Sequence, residues 1–204
     1  MTKKDILGFM KAIEAKDLQK VKKYISMDKA FVNSHNGSTP KVNAGQTGLQ
    51  VAIKKSSFEI ALFLIEQGAD VNFIEDKKFN NEPMPVLHFC IGMLFIYCLH
   101  EYYKQCKPYY DQIIKILKIM LLKGANPRAV YWCGNNSLHC AIMGIHNSTK
   151  NPNFKEIEKI AIVRFREILK TLIDAGADIN EKNNIGENSI DLIKKFGMEG
   201  YKLI

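Results

Sequence analysis

Hydrophobic residues recur at three- and four-residue spacings along most of the chain, which is the periodicity of amphipathic α-helices. Between Lys4 and Asn33 the pattern occurs twice, with a break at Lys16 and Asp17. Three later runs rich in Leu and Ile share this spacing, at residues 60–65, 116–122 and 168–173. The chain is therefore predicted to be all-α and to consist of successive short helices.

A glycine follows each of the three Leu- and Ile-rich runs and opens a recurring phrase, Gly-Ala-Asp or Gly-Ala-Asn. The three glycines are Gly68, Gly124 and Gly176. Because glycine adopts the left-handed backbone conformation more easily than other residues, it commonly ends a helix. We therefore predict a structural role for these three residues, as helix stops.

A second phrase recurs where the first helix of each predicted pair begins. It is clearest at residues 136–141, Asn-Ser-Leu-His-Cys-Ala. Weaker copies occupy residues 47–52, 85–90 and 188–191. The phrase resembles the ankyrin signature Thr-Pro-Leu-His-x-Ala, which opens the first helix of each repeat. The distances from Gly124 to Gly134 and from Gly176 to Gly186 are both ten residues. On these motifs the chain is identified as a member of the ankyrin-repeat family.

The resemblance implies a solenoid of about five repeats, in which helix pairs alternate with short β-hairpin-like fingers. It also implies that His88 and His139, at the signature histidine position, hydrogen-bond the adjoining finger and steady it. The predicted repeats form one domain. They are an N-terminal capping repeat at 1–34, internal repeats at 35–72, 73–128 and 129–180, and a C-terminal capping repeat at 181–204.

The third and fourth repeats are longer than the ordinary ankyrin period of about 33 residues. Nineteen residues separate Leu49 from Gly68, whereas the equivalent distances in the next two repeats are 37 and 38. Similar excesses at the same place predict that both helices of each pair are elongated by similar amounts. The elongated pairs are expected to pack side by side as a projecting lobe. The residues expected to pack there are Phe95, Ile96, Leu99, Tyr102, Tyr103, Phe154, Ile157, Ile160 and Ile162.

The family resemblance places partner contacts on the fingers and on the exposed face of each first helix. The predicted partner-binding residues are Phe73, Ile74, Lys77, Lys78, Phe79, Tyr131, Trp132, Lys182 and Asn183, with Tyr102 and Tyr103 on the extension of repeat 3. Trp132 is the only tryptophan, and large aromatic anchors often dominate binding energy. Two alternatives stay open: Trp132 packs locally on the neighbouring finger, or the tyrosines form only the rim of the lobe.

The formal charge is +8, from 29 basic and 21 acidic residues, and the excess is spread along the chain. This distribution fits a solvated basic face or an acidic protein partner better than a nucleic-acid surface.

The five cysteines lack disulfide or zinc-site spacing, and reduced thiols are expected. No phosphate-binding loop, nucleophile elbow or organised carboxylate pair is present, so we expect neither an enzyme nor a cofactor or metal.

The longest nearly apolar run, residues 86–99, is too short to span a bilayer, and no secretory signal opens the chain. We expect a cytoplasmic monomer without a membrane partner or small-molecule substrate.

The predicted function is a binder that neutralises one protein, as toxin-immunity proteins resembling this one do. The alternatives are a secreted effector that binds a host protein in the host cytosol and, less favoured, a nucleic-acid-binding basic protein.

Overall fold

The computed structural model describes residues 1–35, 37, 43–75, 77–79, 82–99 and 107–204. For residues 99, 107 and 108 it describes the backbone alone. These ranges contain nine α-helices and three isolated antiparallel bridges, and no longer strand. The chain forms two compact units, Met1–Val86 and Leu87–Ile204. The division into five repeats and the hairpin character of the fingers stay predictions.

The first unit contains two helix pairs. Its helices are α1 (Lys3–Glu14), α2 (Leu18–Met27), α3 (Gly48–Lys54) and α4 (Phe58–Glu66), with a 3-10 turn at Lys29–Asn33. Their apolar sides form the core, which includes the fully buried Phe9, Ile13 and Leu64. A threonine caps the start of α1 and of α3. Thr2 and Thr47 each precede the first helical residue, and their side chains accept a hydrogen bond from the backbone amide of the third helical residue.

The second unit contains the longer helices. These are α5 (Val86–Leu99), α6 (Lys107–Leu122), α7 (Ser137–Thr149), α8 (Phe154–Asp174) and α9 (Ser189–Lys195). Short 3-10 turns lie at Trp132–Gly134 and Glu199–Tyr201. The glycine stops are in place in both units, because Gly68, Gly124 and Gly176 have φ values of +91°, +89° and +98°.

The helix lengths match the even extension expected from the spacing for α5 and α6 but not for α7 and α8. Helices α3 and α4 have 7 and 9 residues, α5 and α6 have 14 and 16, and α7 and α8 have 13 and 21. Most of the excess in the last pair therefore lies in α8. The reason is local: Asn151, Pro152 and Asn153 form the turn after Thr149, which places the break close to the α7 side.

An aromatic cluster packs where the extended helices meet. Phe95 of α5 lies 5.8 Å from Phe165 of α8, and Phe165 stacks on Phe154 at 6.2 Å, measured between ring centroids. Gly144 lets α7 approach closely, because a Cβ at this position would collide with the ring of Phe95.

Two residues expected inside the lobe are exposed, so their predicted burial is wrong. Ile96 and Ile160 expose 45% and 52% of their surface. The inward face of α8 is fixed by Phe154, Ile157, Ala161 and Phe165, which recur at helical spacing and are all buried. Ile160 falls outside that face. The predicted packing of Tyr102 and Tyr103, and of the side chain of Leu99, lies outside the described residues.

Arg164 takes a place on the buried face of α8 that the sequence did not suggest. Its guanidinium lies 4.0 Å from the ring centroid of Tyr110, which is itself buried. The Tyr110 hydroxyl donates to the carboxylate of Glu167 at 3.2 Å, and Lys118 binds the other oxygen of that carboxylate at 2.7 Å.

The described helices include none with both the length and the hydrophobicity needed to cross a membrane.

Candidate partner-binding site

The loop that carries Trp132 is a tight turn, and residues 129–136 are called the Trp132 finger below. The amide of Tyr131 donates to the carbonyl of Asn135 at 2.8 Å, and the amide of Gly134 donates back to the carbonyl of Tyr131 at 2.9 Å. Cys133 and Gly134 have φ values of +58° and +72°. Two successive left-handed residues reverse the chain within three positions, and for Cys133 this conformation is strained.

Trp132 stands at the tip of this turn with 54% of its surface exposed. Its backbone is fixed, because its carbonyl accepts from the Asn135 side-chain amide at 2.9 Å and from the Asn135 backbone at 3.2 Å. Val130, two residues earlier, is 56% exposed. The finger therefore presents two apolar side chains from a backbone held in one conformation.

The next loop, residues 181–188, is called the Ile185 finger, and it is bonded to the first. The buried Asn183 side chain donates to Asn135 Oδ1 at 3.0 Å, and the amide of Asn184 donates to the carbonyl of Cys133 at 3.0 Å. A Cβ at Gly134 would collide with Asn184, so glycine is required for this approach. Ile185 is 65% exposed. The two fingers form a single surface, called the finger platform below.

His139 lies beneath the finger platform and joins its two halves. The backbone amide of Asn136 lies 3.2 Å from Nδ1, and Nε2 lies 3.1 Å from the carbonyl of Glu187 in the Ile185 finger. Nδ1 also lies 2.7 Å from Oδ1 of the Asn136 side chain, so the ring contacts both the residue before α7 and the Ile185 finger. Burial lowers the pKa of His139, against the opposing effects of the Glu187 carbonyl and of Glu181, so the ring is neutral at pH 7.

A charged network supports the same junction. Asn136 donates its side-chain amide to Glu181 at 2.9 Å, and Arg128 lies 3.4 Å from the same carboxylate oxygen. Arg128 is also within 3.9 Å of Asp178. These contacts connect the start of α7 to the Ile185 finger. The positive charge of Arg128 is thereby neutralised within the protein.

His88 occupies the equivalent position of α5 but makes no such contacts. It is buried, and neither ring nitrogen has a hydrogen-bond partner among the described residues. Burial lowers the pKa of His88 to about 4, and the backbone of Asn136 opposes this shift only in part. That backbone does not meet the geometry of a hydrogen bond to either ring nitrogen. Its nearest described aromatic neighbour is Tyr131, at 6.0 Å between ring centroids. The role of His88 in steadying the adjoining finger therefore stays a prediction: its ring makes no geometric hydrogen bond with a described residue, although the backbone of Asn136 in that finger acts on its pKa.

The predicted contact residues of the first unit divide into two groups. Ile74 is 47% exposed, and Lys77 and Lys78 are exposed as well. Phe73 and Phe79 are only partly exposed and pack locally: the ring of Phe73 lies 6.1 Å from that of His35, and Phe79 lies against the backbone of Gly45. The exposed members of this segment are thus one isoleucine and two lysines.

In the second unit the sequence located the Trp132 finger but missed part of the platform. Lys182 is exposed and Tyr131 partly so, whereas Asn183 is 8% exposed and holds the fingers together, so its predicted contact role is corrected. Ile185 was not predicted. An isoleucine between Asn184 and Gly186, in a loop of polar residues, was the signal available. Tyr102 and Tyr103 lie outside the described residues.

Two of the described cysteines have thiols with a raised pKa. Burial raises the pKa of the Cys90 and Cys140 thiols, in the latter case to about 12, so both are protonated at pH 7. In the described part of the chain, no three His, Cys, Asp or Glu side chains are grouped closely enough to hold a metal ion. The expectation of no metal site stays a prediction, because His100 and Cys106 fall outside that part.

An open groove of about 450 Å³ runs between the ends of α6 and α8. It is lined mainly by Leu121 and Leu122 with the ionisable side chains of Lys118 and Asp174 at its edges. Both of these charges are paired, Lys118 with Glu167 at 2.7 Å and Asp174 with Lys170 at 2.8 Å. The groove therefore offers apolar surface rather than an organised set of reactive groups.

Comparisons with known proteins agree with the motifs. Residues 44–77, which include α3 and α4, match the ankyrin repeat family model. Over 158 residues the chain is 25% identical to a protein of fowlpox virus (strain NVSL) that is named as an ankyrin repeat protein. This similarity covers 69% of the chain but only 40% of the viral protein, so the chain spans about two fifths of that relative's length.

Proposed function

Because the chain is a member of the ankyrin-repeat family, we propose that it binds another protein through the finger platform, with Trp132 as the main anchor. Ankyrin repeats are modules of protein–protein interaction. The observation that carries the proposal is the exposed Trp132 side chain on a backbone fixed by hydrogen bonds from both fingers. A loop whose backbone is already ordered loses little conformational entropy when a partner binds it.

The chemistry of the platform defines the partner surface. Trp132, Val130 and Ile185 supply apolar contact area, and Lys182 is an exposed cation at its edge. Lys182 forms no ion pair with a described carboxylate, unlike Arg128. We therefore propose a partner that offers an apolar pocket beside an acidic group, which agrees with the net charge of +8.

The biological role that we propose is inhibition of one partner, as in toxin-immunity pairs. Its support is that the described residues offer a binding surface held by hydrogen bonds between two fingers. If a toxin gene neighbours the gene for this chain, co-expression should restore growth to cells that make the toxin. Unchanged killing in the presence of the chain would contradict this role.

A second candidate is a protein that acts inside a host cell on a host protein. The similarity to a fowlpox virus protein favours this candidate, because viral proteins are made in host cells. Detection of the chain in the host cytosol during infection would support it. Affinity for DNA or RNA that falls steeply with salt would instead support the nucleic-acid alternative.

The binding proposal is tested by affinity capture from cells of the source organism with the unmodified chain, Trp132→Ala and Val163→Ala. Val163 is a matched control, because it is also apolar and 63% exposed but lies on α8 rather than on a finger. A partner captured by the chain and by Val163→Ala, and lost with Trp132→Ala, is the expected result. A partner retained equally by all three proteins would place the binding site elsewhere.

A further inference from the structure

A cluster of methionines and lysines lies at one end of the first helix pair, in the first unit. Met1 and Met27 expose 54% and 69% of their surface. The backbone nitrogen of Met1 lies 3.9 Å from Asp28 Oδ2, which brings the start of α1 beside the end of α2. Two flexible apolar side chains are thus exposed at one tip.

Four exposed lysines lie within about one helical turn of these methionines along the chain. Lys3 and Lys4 begin α1, Lys23 lies one turn before Met27 on α2, and Lys29 begins the 3-10 turn that follows. The antiparallel arrangement of the two helices is fixed by the approach of Tyr24 to Gly8. We name the four lysines with Met1 and Met27 the basic tip.

The carboxylates near the basic tip are engaged by other groups. Asp5 accepts from the backbone and hydroxyl of Thr2 at 2.8 and 2.7 Å, which lowers its pKa. Asp28 accepts from the amide of Ala30 at 2.9 Å. No described carboxylate forms an ion pair with any of the four lysines. The tip therefore has an excess of positive charge next to exposed apolar surface.

We propose that the basic tip docks on the surface of an anionic lipid bilayer. Lysines are attracted to anionic headgroups, and methionines can enter the boundary between headgroups and acyl chains, so this surface satisfies both parts of the tip. A nucleic acid would pair with the lysines but offers nothing to the methionines. This inference departs from the expectation of no membrane partner and is independent of the finger platform.

The test is sedimentation of the full chain with phosphatidylcholine vesicles, with and without phosphatidylserine. Each lysine near a charged bilayer contributes roughly a fivefold gain in binding, so a variant with Lys3, Lys4, Lys23 and Lys29 changed to Gln should lose at least about a hundredfold. Met27→Asn should weaken binding by roughly tenfold, because the side chain no longer enters the apolar boundary.

The matched control changes four exposed lysines of the second unit, Lys115, Lys123, Lys155 and Lys159, to Gln. Its net charge falls by the same amount. Binding to phosphatidylserine vesicles that survives in the control and is lost in the tip variant supports the proposal. Equal losses in both variants would show an effect of net charge alone and overturn it. The proposal is also overturned if the chain does not sediment with phosphatidylserine vesicles, including when it binds RNA or polyglutamate through the same lysines.

Discussion

His139 and His88 occupy the same position of two helices, the third residue of α7 and of α5, and their surroundings differ completely. His139 bridges the backbone of Asn136 and the carbonyl of Glu187. His88 is equally buried and leaves both ring nitrogens without a hydrogen bond. The same signature residue therefore joins two fingers in one case and is an unsatisfied polar group in the other.

The residue that precedes each helix explains part of the difference. Asn136 supplies the backbone N–H that His139 accepts, whereas Pro85 has no N–H to offer His88. In the first unit a glutamine, the third residue of α3, makes the equivalent contacts without an imidazole. There Thr47 donates its amide to the side chain of Gln50 at 3.1 Å, and Gln50 in turn reaches the carbonyl of Met84 at 3.5 Å.

The two histidines stand on opposite sides of the Trp132 finger along the chain. The Trp132 finger is hydrogen-bonded on the side of the His139 network, through Asn183 and Asn184, and receives no hydrogen bond from the side chain of His88. Besides its own internal hydrogen bonds, the finger is thus held by the Ile185 finger that follows it. We expect changes at His139 to reach the finger platform, and changes at His88 to leave it intact.

The largest expected effect is acid destabilisation through His88. Its pKa is about 4 in the folded protein and 6.5 for the free side chain, so the unfolded chain takes up the proton first as the pH falls. The free energy of unfolding should therefore decrease between pH 6.5 and pH 4, by about 3 kcal/mol from this residue.

Urea unfolding across this pH range, with His88→Leu as the reference protein, measures the contribution. The variant should lack most of the decrease and keep a smaller part that comes from His139, whose pKa is lowered as well. Identical pH profiles for the two proteins would show that His88 is not a buried neutral ring.

The next effect is the contrast between His139→Leu and His88→Leu at pH 7. The first change leaves the amide of Asn136 without a partner and removes one of the two hydrogen bonds to the carbonyl of Glu187, which keeps the amide of Asn183, and should cost about 2 kcal/mol of unfolding free energy. The second removes two unsatisfied nitrogens and should be neutral or stabilising by up to about 1 kcal/mol. Denaturant unfolding measures both changes, and equal losses would contradict the assignment of different roles.

The smallest effect expected is a gain from Pro85→Asn. Asparagine restores a backbone N–H for His88 and a side-chain oxygen that can cap α5, as Asn136 does for α7. The expected gain is about 1 kcal/mol of unfolding free energy, measured by thermal or urea unfolding. The same substitution in a His88→Leu background should give a smaller gain, since the ring that receives the N–H is gone.

Features that depend on local sequence were predictable. The ends of α4, α6 and α8 follow from Gly68, Gly124 and Gly176, since a glycine after an apolar helical run ends the helix whatever it packs against. The position of the Trp132 finger was predicted from the family resemblance, since it lies between the helix stop at Gly124 and the signature phrase at residues 136–141.

Features that depend on contacts between distant residues were not predictable. The inward rotation of α8, which buries Arg164 and exposes Ile160, is decided by the ring of Tyr110 and the aromatic cluster of Phe95. The role of Asn183 required knowledge that Asn135 lies beside it. Hydrophobicity alone assigns an isoleucine to the core and an arginine to the surface, and both assignments fail on this helix.

The central claim, that the finger platform holds a protein partner through Trp132, is tested most directly by the dissociation constant of the captured partner. Isothermal titration should show a loss of at least about 30-fold for Trp132→Ala, because a buried aromatic anchor contributes about 2 kcal/mol or more. Val163→Ala should bind as the unmodified chain does. Unchanged affinity for Trp132→Ala, in a variant that unfolds at the same denaturant concentration as the unmodified chain, would contradict the claim.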